Sequence, residues 1–383
     1  MHPDLIPHAR PNVLEIDLDA VSNCVRELRD VVGRNVRIYA ALKSNAYGYG
    51  LLEIAKTVLA SGADALSCVD RADAIRLRQA GFTVPILVYA GSIIDQAAVA
   101  ACEQYDLVPT LLDRSEIAIC ARHATRAFRF AVKLNVGQER LGVDAEEIVP
   151  FVQAALATAK LELEVINAHP TVPAAVDPAV HEWQYKRFVT ACAALESAGI
   201  KVPVKLFAAS KTLAVTLGMN LDAIDPGQAL YGPIKREPGK PAPAHQRPLQ
   251  ALKSKLIQVR PVVRSEFRDR APFPIRDGMV LGVIPIGASD GMLRLNMGEV
   301  LVRGRRAKIL ATPSLEYTRI DLTGIEGAAL GDEVVIIGGQ GDDRIYPEDV
   351  AAHHKVQVTD VVMSVRETIP RQYLTRSSAP SPS

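Results

Sequence analysis

The stretch Ile38-Tyr-Ala-Ala-Leu-Lys43-Ser-Asn-Ala-Tyr47-Gly-Tyr-Gly50 places a single lysine directly after a short apolar run. The run has the composition of a buried strand, and the glycine turn after it leads into a helical pattern that begins at Leu51. Burial lowers the pKa of a lysine and frees its amine, so a lysine at the mouth of a strand is suited to forming a Schiff base. A surface lysine beside a glycine turn is the alternative interpretation of Lys43 on its own.

The same succession of apolar run, turn and helical pattern continues as far as about Gly232. Strands that alternate with helices predict parallel βαβ units, and eight such strands predict a TIM-type (β/α)8 barrel. A doubly wound open sheet is the alternative, although no Gly-x-Gly-x-x-Gly fingerprint follows the first strand. Asp19 is placed to cap the first helix. The predicted barrel strands are residues 37–42, 65–69, 86–90, 107–111, 130–135, 163–168, 204–208 and 223–225.

The pattern changes after Gly232. A Pro-rich and charged segment over residues 233–248 indicates a linker, and the segments beyond it, such as a predicted strand over residues 252–259, are rich in β-forming residues. The chain is therefore predicted to be an α/β barrel followed by an all-β domain. The predicted divisions are an N-terminal strand in residues 1–18 that packs on the β domain, the barrel in residues 19–240, the β domain in residues 241–376 and a disordered tail in residues 377–383.

Composition excludes several classes of partner. The formal net charge is +1, which gives no electrostatic basis for binding nucleic acid or a membrane surface. No apolar run approaches the ~20 residues that a membrane span needs, and the N-terminal residues lack the hydrophobic region of a signal peptide. The cysteines are odd in number, widely spaced and set in apolar patterns, which indicates reduced core thiols, no metal site and a cytoplasmic protein. They are Cys24, Cys68, Cys102, Cys120 and Cys192.

Polar residues follow the predicted strands at the points where these strands end, which is the catalytic face of a barrel. Lys43 follows the first strand, whereas Lys133 lies within the fifth. Ser210 and Gly227 follow the seventh and eighth strands, where barrels commonly bind phosphate through backbone N–H groups and a hydroxyl. A loop cap or turn is the alternative for each residue alone, but their placement on one face predicts a site for a phosphate-bearing cofactor. The remaining members of the set are Arg140, His169, Asp225 and Gln228.

These residues stand in sequences that resemble the signatures of the alanine racemase family, a group of fold type III enzymes that use pyridoxal 5'-phosphate (PLP). The resemblance spans nearly the whole chain and includes Pro226-Gly-Gln-Ala-Leu-Tyr-Gly232 and Ile369-Pro-Arg-Gln-Tyr373. It implies a PLP cofactor carried by Lys43, a small amino-acid substrate, and a homodimer whose active sites lie at the subunit interface.

The resemblance also implies a role for each residue of the set. Lys43, His169 and Asp225 match catalytic positions that also contact the cofactor, and Arg140 matches a contact to the phenolic oxygen of PLP and to the substrate. Lys133 corresponds to a barrel lysine that is carbamylated in some members, and whether it is modified in this chain stays open. The implied phosphate contacts are Tyr47, Ser210, Gly227, Gln228 and Tyr373, and the segment implied to line the substrate pocket of the partner is Ser314-Leu315-Glu316.

The first departure from the family pattern is Asp225, which stands where the family has an arginine facing the pyridine nitrogen of PLP. An arginine leaves that nitrogen unprotonated, whereas an aspartate protonates it and makes the ring a strong electron sink. A carbanion at the substrate Cα then spreads into a longer-lived quinonoid. Two pocket segments depart as well, because Ser314-Leu315-Glu316 and Ala288-Ser-Asp-Gly291 replace the family's Cys-Met-Asp-type and Tyr-Ala-Asp-Gly segments.

A further departure is the missing base on the opposite face of the substrate. The family uses a tyrosine there, but this chain has none between Tyr231 and Tyr317. Glu266 or Asp269 is the candidate replacement, with a solvated charged loop as the alternative. Lys43 alone can remove the Cα proton and return it to C4' of the cofactor from the same face. One-face amino-group transfer, as in a transaminase, is therefore the favoured reaction.

Three alternatives stay open at this point. A racemase of alanine or another amino acid could use Glu266, His169 or a water in place of the missing tyrosine. An aldolase acting on a β-hydroxy amino acid could use His169 to take the hydroxyl proton. A non-catalytic protein that binds or carries PLP could retain the same residues.

Overall fold

The structure, a computed structural model, describes residues 10–171, 178–237, 240–263 and 270–375. By its internal contacts the chain separates into two units. The barrel unit comprises Val21–Ala46 and Gly50–Lys235, and the β unit comprises Met1–Ala20, Tyr47–Tyr49 and Arg236–Ser383. The first strand, β1 (Val13–Asp17), belongs to the β unit.

A closed ring of eight parallel strands forms the barrel unit, which confirms the predicted TIM-type barrel. Together with one short strand outside the ring, the strands of this unit are β2 (Arg37–Ala41), β3 (Ala65–Cys68), β4 (Ile86–Val88), β5 (Val108–Leu111), β6 (Phe128–Asn135), β7 (Val143–Asp144), β8 (Leu161–Asn167), β9 (Val204–Ala209) and β10 (Ala223–Asp225). The pairing of β5 with β6 and of β10 with β2 closes the ring. Among the described strands of this unit, β7 alone lies outside the ring, because this short strand pairs with the end of β6.

Several of the helices that alternate with the strands begin at an aspartate whose side chain accepts an N–H group left over in the first turn. The first helix starts at Leu18, and Asp17 accepts the N–H of Ala20 at 3.0 Å. The prediction that Asp19 caps this helix is wrong, because Asp19 already lies in the first turn. The elements are α1 (Leu18–Val32), the left-handed turn α2 (Lys43–Tyr47), α3 (Leu51–Ala60), α4 (Arg71–Gln79), α5 (Gln96–Gln104), α6 (Arg114–His123), α7 (Ile148–Leu156), α8 (Pro178–Ser197) and α9 (Ser210–Val215).

The barrel interior consists of an apolar layer and, two residues further along the strands, a polar layer. Side chains alternate along a strand, so residues i and i+2 face the same side. The apolar layer is Tyr39, Ala65, Leu87, Val108, Ala131, Val165, Val204, Leu206 and Ala223, each at most 1% exposed. The polar layer, two residues later, is Ser67, Tyr89, Thr110, Lys133, Asn167 and Asp225. It therefore lies on the C-terminal side of the barrel, where enzymes of this fold carry their active sites.

Two sheets make up most of the β unit. Their strands beyond β1 are β11 (Leu249–Lys255), β12 (Gln258–Val262), β13 (Met279–Ile284), β14 (Glu299–Val302), β15 (Arg305–Lys308), β16 (Thr318–Asp321), β17 (Glu333–Gln340), β18 (Asp343–Ile345) and β19 (Arg371–Leu374). The larger sheet has the order β15-β14-β17-β11-β1-β19 with β18 on β17, and the smaller has the order β12-β13-β16. Only β1 and β19 pair in parallel among the described strands of this unit. Three short helices accompany them, α10 (Met292–Leu295), α11 (Pro347–His354) and α12 (Val358–Ser364).

The strand predicted over residues 252–259 is in fact two strands. β11 ends at Lys255 and pairs with β17 in the larger sheet, whereas β12 begins at Gln258 and pairs with β13 in the smaller sheet. The chain passes from one sheet to the other at Leu256 and Ile257. The backbone N–H groups of these two residues donate to carbonyls that lie in neither β11 nor β12. The prediction failed because the residues on both sides of the break favour strands, and strand partners are not encoded locally.

No helix in the described part of the chain is long and apolar enough to cross a membrane. The five cysteines are all buried and form no disulfide, and burial raises the pKa of the Cys102 thiol to about 11. Across the same described residues, no group of three or more His, Cys, Asp or Glu side chains is placed to hold a metal ion. Glu266, Asp269 and the predicted tail in residues 377–383 lie outside the described residues.

Candidate active site

Lys43 follows β2 and begins the left-handed turn α2. Ser44, Asn45 and Ala46 have φ values of 55°, 52° and 54°, a conformation that costs a residue with a side chain about 1–2 kcal/mol. Hydrogen bonds hold the turn in place, among them the Leu51 N–H that donates to the side chain of Asn45 at 2.8 Å. Backbone strain of this kind persists where the surroundings determine it, often at functional sites. The half-buried Lys43 therefore stands on a fixed segment of backbone.

Asp225 is the last residue of β10 and lies buried in the polar layer. Its Oδ2 accepts a hydrogen bond from the Tyr89 hydroxyl at 2.7 Å. Its Oδ1 is buried as well, and no donor among the described residues reaches it. Burial raises the pKa of this carboxyl to about 6, while the Tyr89 hydrogen bond and the charges of Lys43 and Lys133 act to lower it. Because a buried oxygen without a donor is costly, Oδ1 is suited to a donor from a bound molecule.

Lys133 lies in the polar layer within β6, as predicted, and is buried. Burial lowers the pKa of its amine, Asp225 acts to raise it, and the positive charges of Arg140 and Lys43 act to lower it, which together bring the pKa to about 8. Its Nζ lies 5.9 Å from the centre of the Tyr89 ring, within the range of a cation–π contact. At neutral pH Lys133 is therefore mostly protonated, and its positive charge is opposite to the negative charge of the buried Asp225 carboxylate.

His169 lies shortly after β8 and is half-buried among cationic side chains. Burial, together with nearby positive charges, lowers the pKa of its imidazole to about 3. His169 is therefore neutral at physiological pH and a weak base. The same charges make this end of the barrel favourable for phosphate and carboxylate groups. They belong to Lys133, Lys43, Arg140 and Lys211.

Ser210 directly follows β9, and its hydroxyl connects this strand to the residues after β10. Its Oγ accepts the N–H of Gly227 at 2.9 Å and the N–H of Ala229 at 3.1 Å. A hydroxyl and two backbone N–H donors thus meet at the ends of neighbouring strands, where sequence reasoning places phosphate binding. Gln228 lies between the two donors and is half-buried.

Tyr47, Gly48 and Tyr49 belong to the β unit, where β19 holds their backbone. Arg371 donates from Nε to the Gly48 carbonyl at 3.1 Å, and the Tyr373 hydroxyl donates to the Tyr49 carbonyl at 3.0 Å. Gly48 has a φ of +83°, and a Cβ there would lie 2.9 Å from a carbonyl oxygen of α12, so the position requires glycine. The phosphate contacts predicted for Tyr47 and Tyr373 stay predictions.

The two pocket segments that depart from the family pattern contact each other within the β unit. The Ala288 N–H donates to the Ser314 carbonyl at 2.9 Å, and the Ser289 N–H donates to the Leu315 carbonyl at the same distance. Leu315 is 70% exposed, and Glu316 is exposed as well. The substitutions in the two segments therefore change one continuous surface, and the role predicted for it in substrate binding stays a prediction.

The barrel unit brings together five residues of the predicted set, and it leaves one of the set at the surface. Arg140 lies in the loop after β6 and is exposed, although its positive charge still acts on Lys133 and His169. Its predicted contacts to cofactor and substrate stay predictions. The five residues at or just beyond the ends of ring strands are Lys43, His169, Ser210, Asp225 and Gly227.

Sequence reasoning missed Tyr89, which directly follows β4 and binds Asp225. The signal was available in the predicted strand over residues 86–90. Tyr89 stands two residues after the buried Leu87, just as Asp225 stands two residues after the buried Ala223. Counting in steps of two from the buried residue towards the end of each strand would have placed both in one layer.

Comparison with known proteins matches both parts of the chain. The family model described as the N-terminal domain of alanine racemase matches residues 16–235, and the model described as its C-terminal domain matches residues 251–373. The chain belongs to the alanine racemase family. Alanine racemase 2 from Caldanaerobacter subterraneus subsp. tengcongensis is 29% identical over 96% of each chain. The alanine racemase from Desulfosudis oleivorans is 30% identical over 95% of this chain and 97% of the relative.

Solved structures of the family share the fold. The alanine racemase from Bacillus anthracis with bound L-Ala-P is 25% identical, with a TM-score of 0.86 over 97% of each chain. The alanine racemase from E. faecalis is 27% identical, with a TM-score of 0.84 over 95% of this chain and 98% of that structure. Enzymes of the alanine racemase family are isomerases that use PLP, and PLP is therefore the cofactor of this chain.

The described residues of the barrel unit fit PLP. The buried Oδ1 of Asp225 has no donor among them, and a protonated ring nitrogen is such a donor. The Ser210 hydroxyl, whose oxygen accepts the N–H groups of Gly227 and Ala229, can donate its own proton to a phosphate. Lys43 would carry the cofactor covalently, as the resemblance implies.

Proposed function

We propose that this chain uses Lys43 as the base that removes the Cα proton of a small amino acid held by PLP, and that Asp225 directs part of the reaction towards amino-group transfer. The first part is supported by membership in the alanine racemase family. The second part is supported by one position at which this chain departs from the family pattern.

The buried carboxylate of Asp225, with its open Oδ1, is the observation that carries the proposal. When bound, PLP supplies an electron sink for negative charge at the substrate Cα, and a protonated ring nitrogen strengthens that sink. A carboxylate facing the nitrogen favours the protonated form, because opposite charges attract. The arginine of the family pattern has the opposite effect, so Asp225 prolongs the life of the negative charge.

Lys43 acts on one face of the substrate. The proton that its amine takes from Cα has two destinations. Return of that proton from Lys43 to Cα would regenerate the starting enantiomer, whereas its transfer to the cofactor, followed by hydrolysis with one water molecule, would release a keto acid and leave the amino group on the cofactor. A longer-lived negative charge gives the second route more time. We therefore expect amino-group transfer to accompany exchange of the Cα proton.

In the cofactor-free protein, the pKa of His169 argues against the racemase and aldolase alternatives in which this residue serves as a base. Its pKa of about 3 leaves a neutral imidazole that attracts protons weakly. The hydroxyl proton of a β-hydroxy amino acid needs a stronger base than this. The neutral ring can instead donate or accept a hydrogen bond to the substrate in the positively charged mouth of the barrel.

Racemisation without amino-group transfer is the second candidate function. The relatives favour it, because the curated proteins that match nearly the full chain are named alanine racemases. It requires a proton carrier on the face opposite Lys43. Glu266 and Asp269 are the candidates from the sequence, and both lie outside the described residues.

The test incubates the PLP-loaded protein separately with each enantiomer of several small amino acids. Chiral chromatography of the amino acid and detection of carbonyl products are carried out on the same sample. A keto acid together with retained configuration supports the proposal. The opposite enantiomer without any carbonyl product supports racemisation alone and contradicts the role given to Asp225, and release of an aldehyde supports the aldolase alternative.

We also infer a homodimer and a cytoplasmic location. The exposed Leu315 lies in the segment that the family resemblance places in the partner's pocket, and an apolar side chain with 70% exposure is suited to burial against a second subunit. The buried cysteines, which form no disulfide in the structure, are consistent with a reducing compartment. Light scattering on the PLP-loaded protein tests the dimer, since a mass equal to one chain would contradict it.

A further inference from the structure

Tyr89 contacts both charged groups of the polar layer. Its hydroxyl donates to Oδ2 of Asp225 at 2.7 Å, and Nζ of Lys133 lies 5.9 Å from the centre of its ring. The ring also packs against the apolar layer. A phenol confined by packing on one side and by two charged groups on the other has little freedom, so it can fix the group to which it donates.

The hydrogen bond from Tyr89 gives the two oxygens of Asp225 different surroundings. Oδ2 has its donor, while Oδ1 is buried and has none among the described residues. The carboxyl of an aspartate turns easily about its Cβ–Cγ bond, because this torsion has broad minima. A donor that fixes Oδ2 therefore also fixes the plane of the carboxylate and the direction of Oδ1.

We propose that Tyr89 is a positioning residue that keeps Asp225 in its charged form and aims Oδ1 at the ring nitrogen of PLP. The inference rests on the proposed function, which assigns Asp225 to that nitrogen. A hydrogen bond donated to a carboxylate favours the charged form over the protonated form. The proton between Oδ1 and the ring nitrogen is therefore held closer to the nitrogen when Tyr89 donates, and closer to Oδ1 when it does not.

Other charges act on Asp225 and must stay unchanged in a test of Tyr89. Lys43 and Lys133 favour the charged carboxylate, and Arg140 acts on Lys133 in turn. Replacing the phenol of Tyr89 with a phenyl ring alters none of these side chains and preserves the packing against the apolar layer. The substitution Tyr89→Phe therefore isolates the contribution of the hydroxyl.

The experiment measures the nitrogen NMR signal of the holoenzyme loaded with PLP that is isotopically labelled at the ring nitrogen. The chemical shift reports how closely the proton is held by the nitrogen. Asp225→Asn removes the charge of the carboxylate, Tyr89→Phe removes the hydroxyl, and Tyr105→Phe is the matched control at the end of α5. We expect the protonated value for the wild type and the control, the unprotonated value for Asp225→Asn, and an intermediate value for Tyr89→Phe.

The outcomes separate this inference from the proposed function. A wild-type signal in Tyr89→Phe, with a changed signal in Asp225→Asn, overturns the role of Tyr89 and leaves the proposed function intact. An unchanged signal in Asp225→Asn overturns the assignment of Asp225 to the ring nitrogen. Circular dichroism and cofactor absorbance establish that each variant is folded and loaded.

A second variant covers the case in which Tyr89→Phe does not fold. A ring-fluorinated tyrosine introduced only at position 89 keeps the shape of the side chain and donates a stronger hydrogen bond. We expect its nitrogen signal to stay at the protonated value of the wild type, because the stronger donor still favours the charged carboxylate. A movement towards the unprotonated value would contradict the role of Tyr89.

Discussion

The two layers of the barrel interior stand two residues apart on the same strands and differ in what they contribute. In the apolar layer, side chains such as Leu87 and Val165 are 1% exposed, and burial of apolar surface contributes about 25 cal/mol per Å². In the polar layer, burial raises the pKa of Asp225 to about 6 and lowers that of Lys133 to about 8. Both shifts mean that burial disfavours the charged form. The apolar layer therefore stabilises the barrel. The polar layer holds charged groups whose burial is unfavourable and which can interact with a ligand.

The separation of the two layers explains how the barrel tolerates an unfavourable site. The polar residue of each strand stands two positions beyond the apolar residue. A substitution in the polar layer therefore leaves the apolar contacts that hold the ring of strands unchanged. Tyr89 joins the layers, because its ring packs on the apolar layer and its hydroxyl binds Asp225. Substitutions in the two layers should therefore have opposite effects on stability, and only those in the polar layer should also change the chemistry.

The largest expected effect is the loss of activity in Lys43→Ala. General-base catalysis alone contributes up to about 10⁴-fold, and the covalent link to the cofactor is lost as well, so we expect exchange of the substrate Cα proton to slow by at least about 10⁴-fold. Proton NMR in deuterated water measures this exchange with the PLP-loaded protein. Lys56→Ala, at an exposed position of α3, is the control. Exchange at the wild-type rate in Lys43→Ala would remove the lysine from the mechanism.

Leu87→Ala tests the contribution of the apolar layer. Removal of a buried leucine leaves a cavity and lowers the free energy of unfolding by about 2–5 kcal/mol. Because Leu87 belongs to the apolar layer, we expect kcat of the folded, PLP-loaded variant to stay close to that of the wild type. Urea denaturation and steady-state kinetics measure the two quantities. A large fall in kcat with unchanged stability would show that the layers are not separate in function.

Asp225→Asn should stabilise the cofactor-free protein in a pH-dependent manner. Folding raises the pKa of this carboxyl from 3.8 to about 6, so the folded state holds the proton more tightly than the unfolded state. The resulting stability is present at low pH and is lost as the pH rises through about 6. Asparagine does not titrate, so above that pH the variant should gain up to about 3 kcal/mol relative to the wild type.

The measurement compares urea unfolding of the wild type and Asp225→Asn at several pH values. The difference in unfolding free energy should grow as the pH rises from about 4 towards 6 and stay constant above, because the shift lies in this interval. A wild type that is more stable than Asp225→Asn at neutral pH would mean that the charged carboxylate is favourable in this site. The polar layer would then resemble the apolar layer in its effect on stability.

The barrel could be predicted from the sequence because its strands are local, apolar and separated by helices of regular pattern. The break at Leu256 and Ile257 could not, since it depends on strand partners that are distant in sequence. The same holds for Tyr49, whose carbonyl accepts the hydroxyl of Tyr373, 324 residues later. Contacts of such separation are set by the fold as a whole and leave no periodic signal.

The candidate site could be predicted from the sequence only in part, for a similar reason. Lys43 and Asp225 could be predicted because each lies in a family motif, and Asp225 differs from the arginine that the motif has at its position. Tyr89 lies in no such motif, and an aromatic residue at the end of an apolar strand is typical of packing. Its hydrogen bond to Asp225 joins β4 to β10 across the barrel. Only a structure gives the distance of 2.7 Å that turns a packing residue into a candidate for the site.

The smallest expected effect concerns the phosphate end of the site and is a change in cofactor affinity in Ser210→Ala. The Ser210 hydroxyl accepts the N–H groups of Gly227 and Ala229, so its removal takes one donor from the phosphate and frees two others. A hydrogen bond to a charged group contributes about 1.5–3 kcal/mol, and the freed N–H groups recover part of this. We expect the Kd for PLP to rise about tenfold, which corresponds to about 1.4 kcal/mol.

Absorbance titration of the cofactor-free protein with PLP measures this Kd, and Ser197→Ala, at the exposed end of α8, is the matched control. Urea unfolding of the same samples separates two explanations for a weaker affinity. If Ser210→Ala weakens PLP binding and leaves the free energy of unfolding unchanged, the hydroxyl serves the ligand, as the polar layer does. If stability falls and the Kd is unchanged, the hydroxyl stabilises the backbone of the turn after β10. The division between stabilising groups and ligand-binding groups would then apply to the two layers of the barrel interior and not to Ser210.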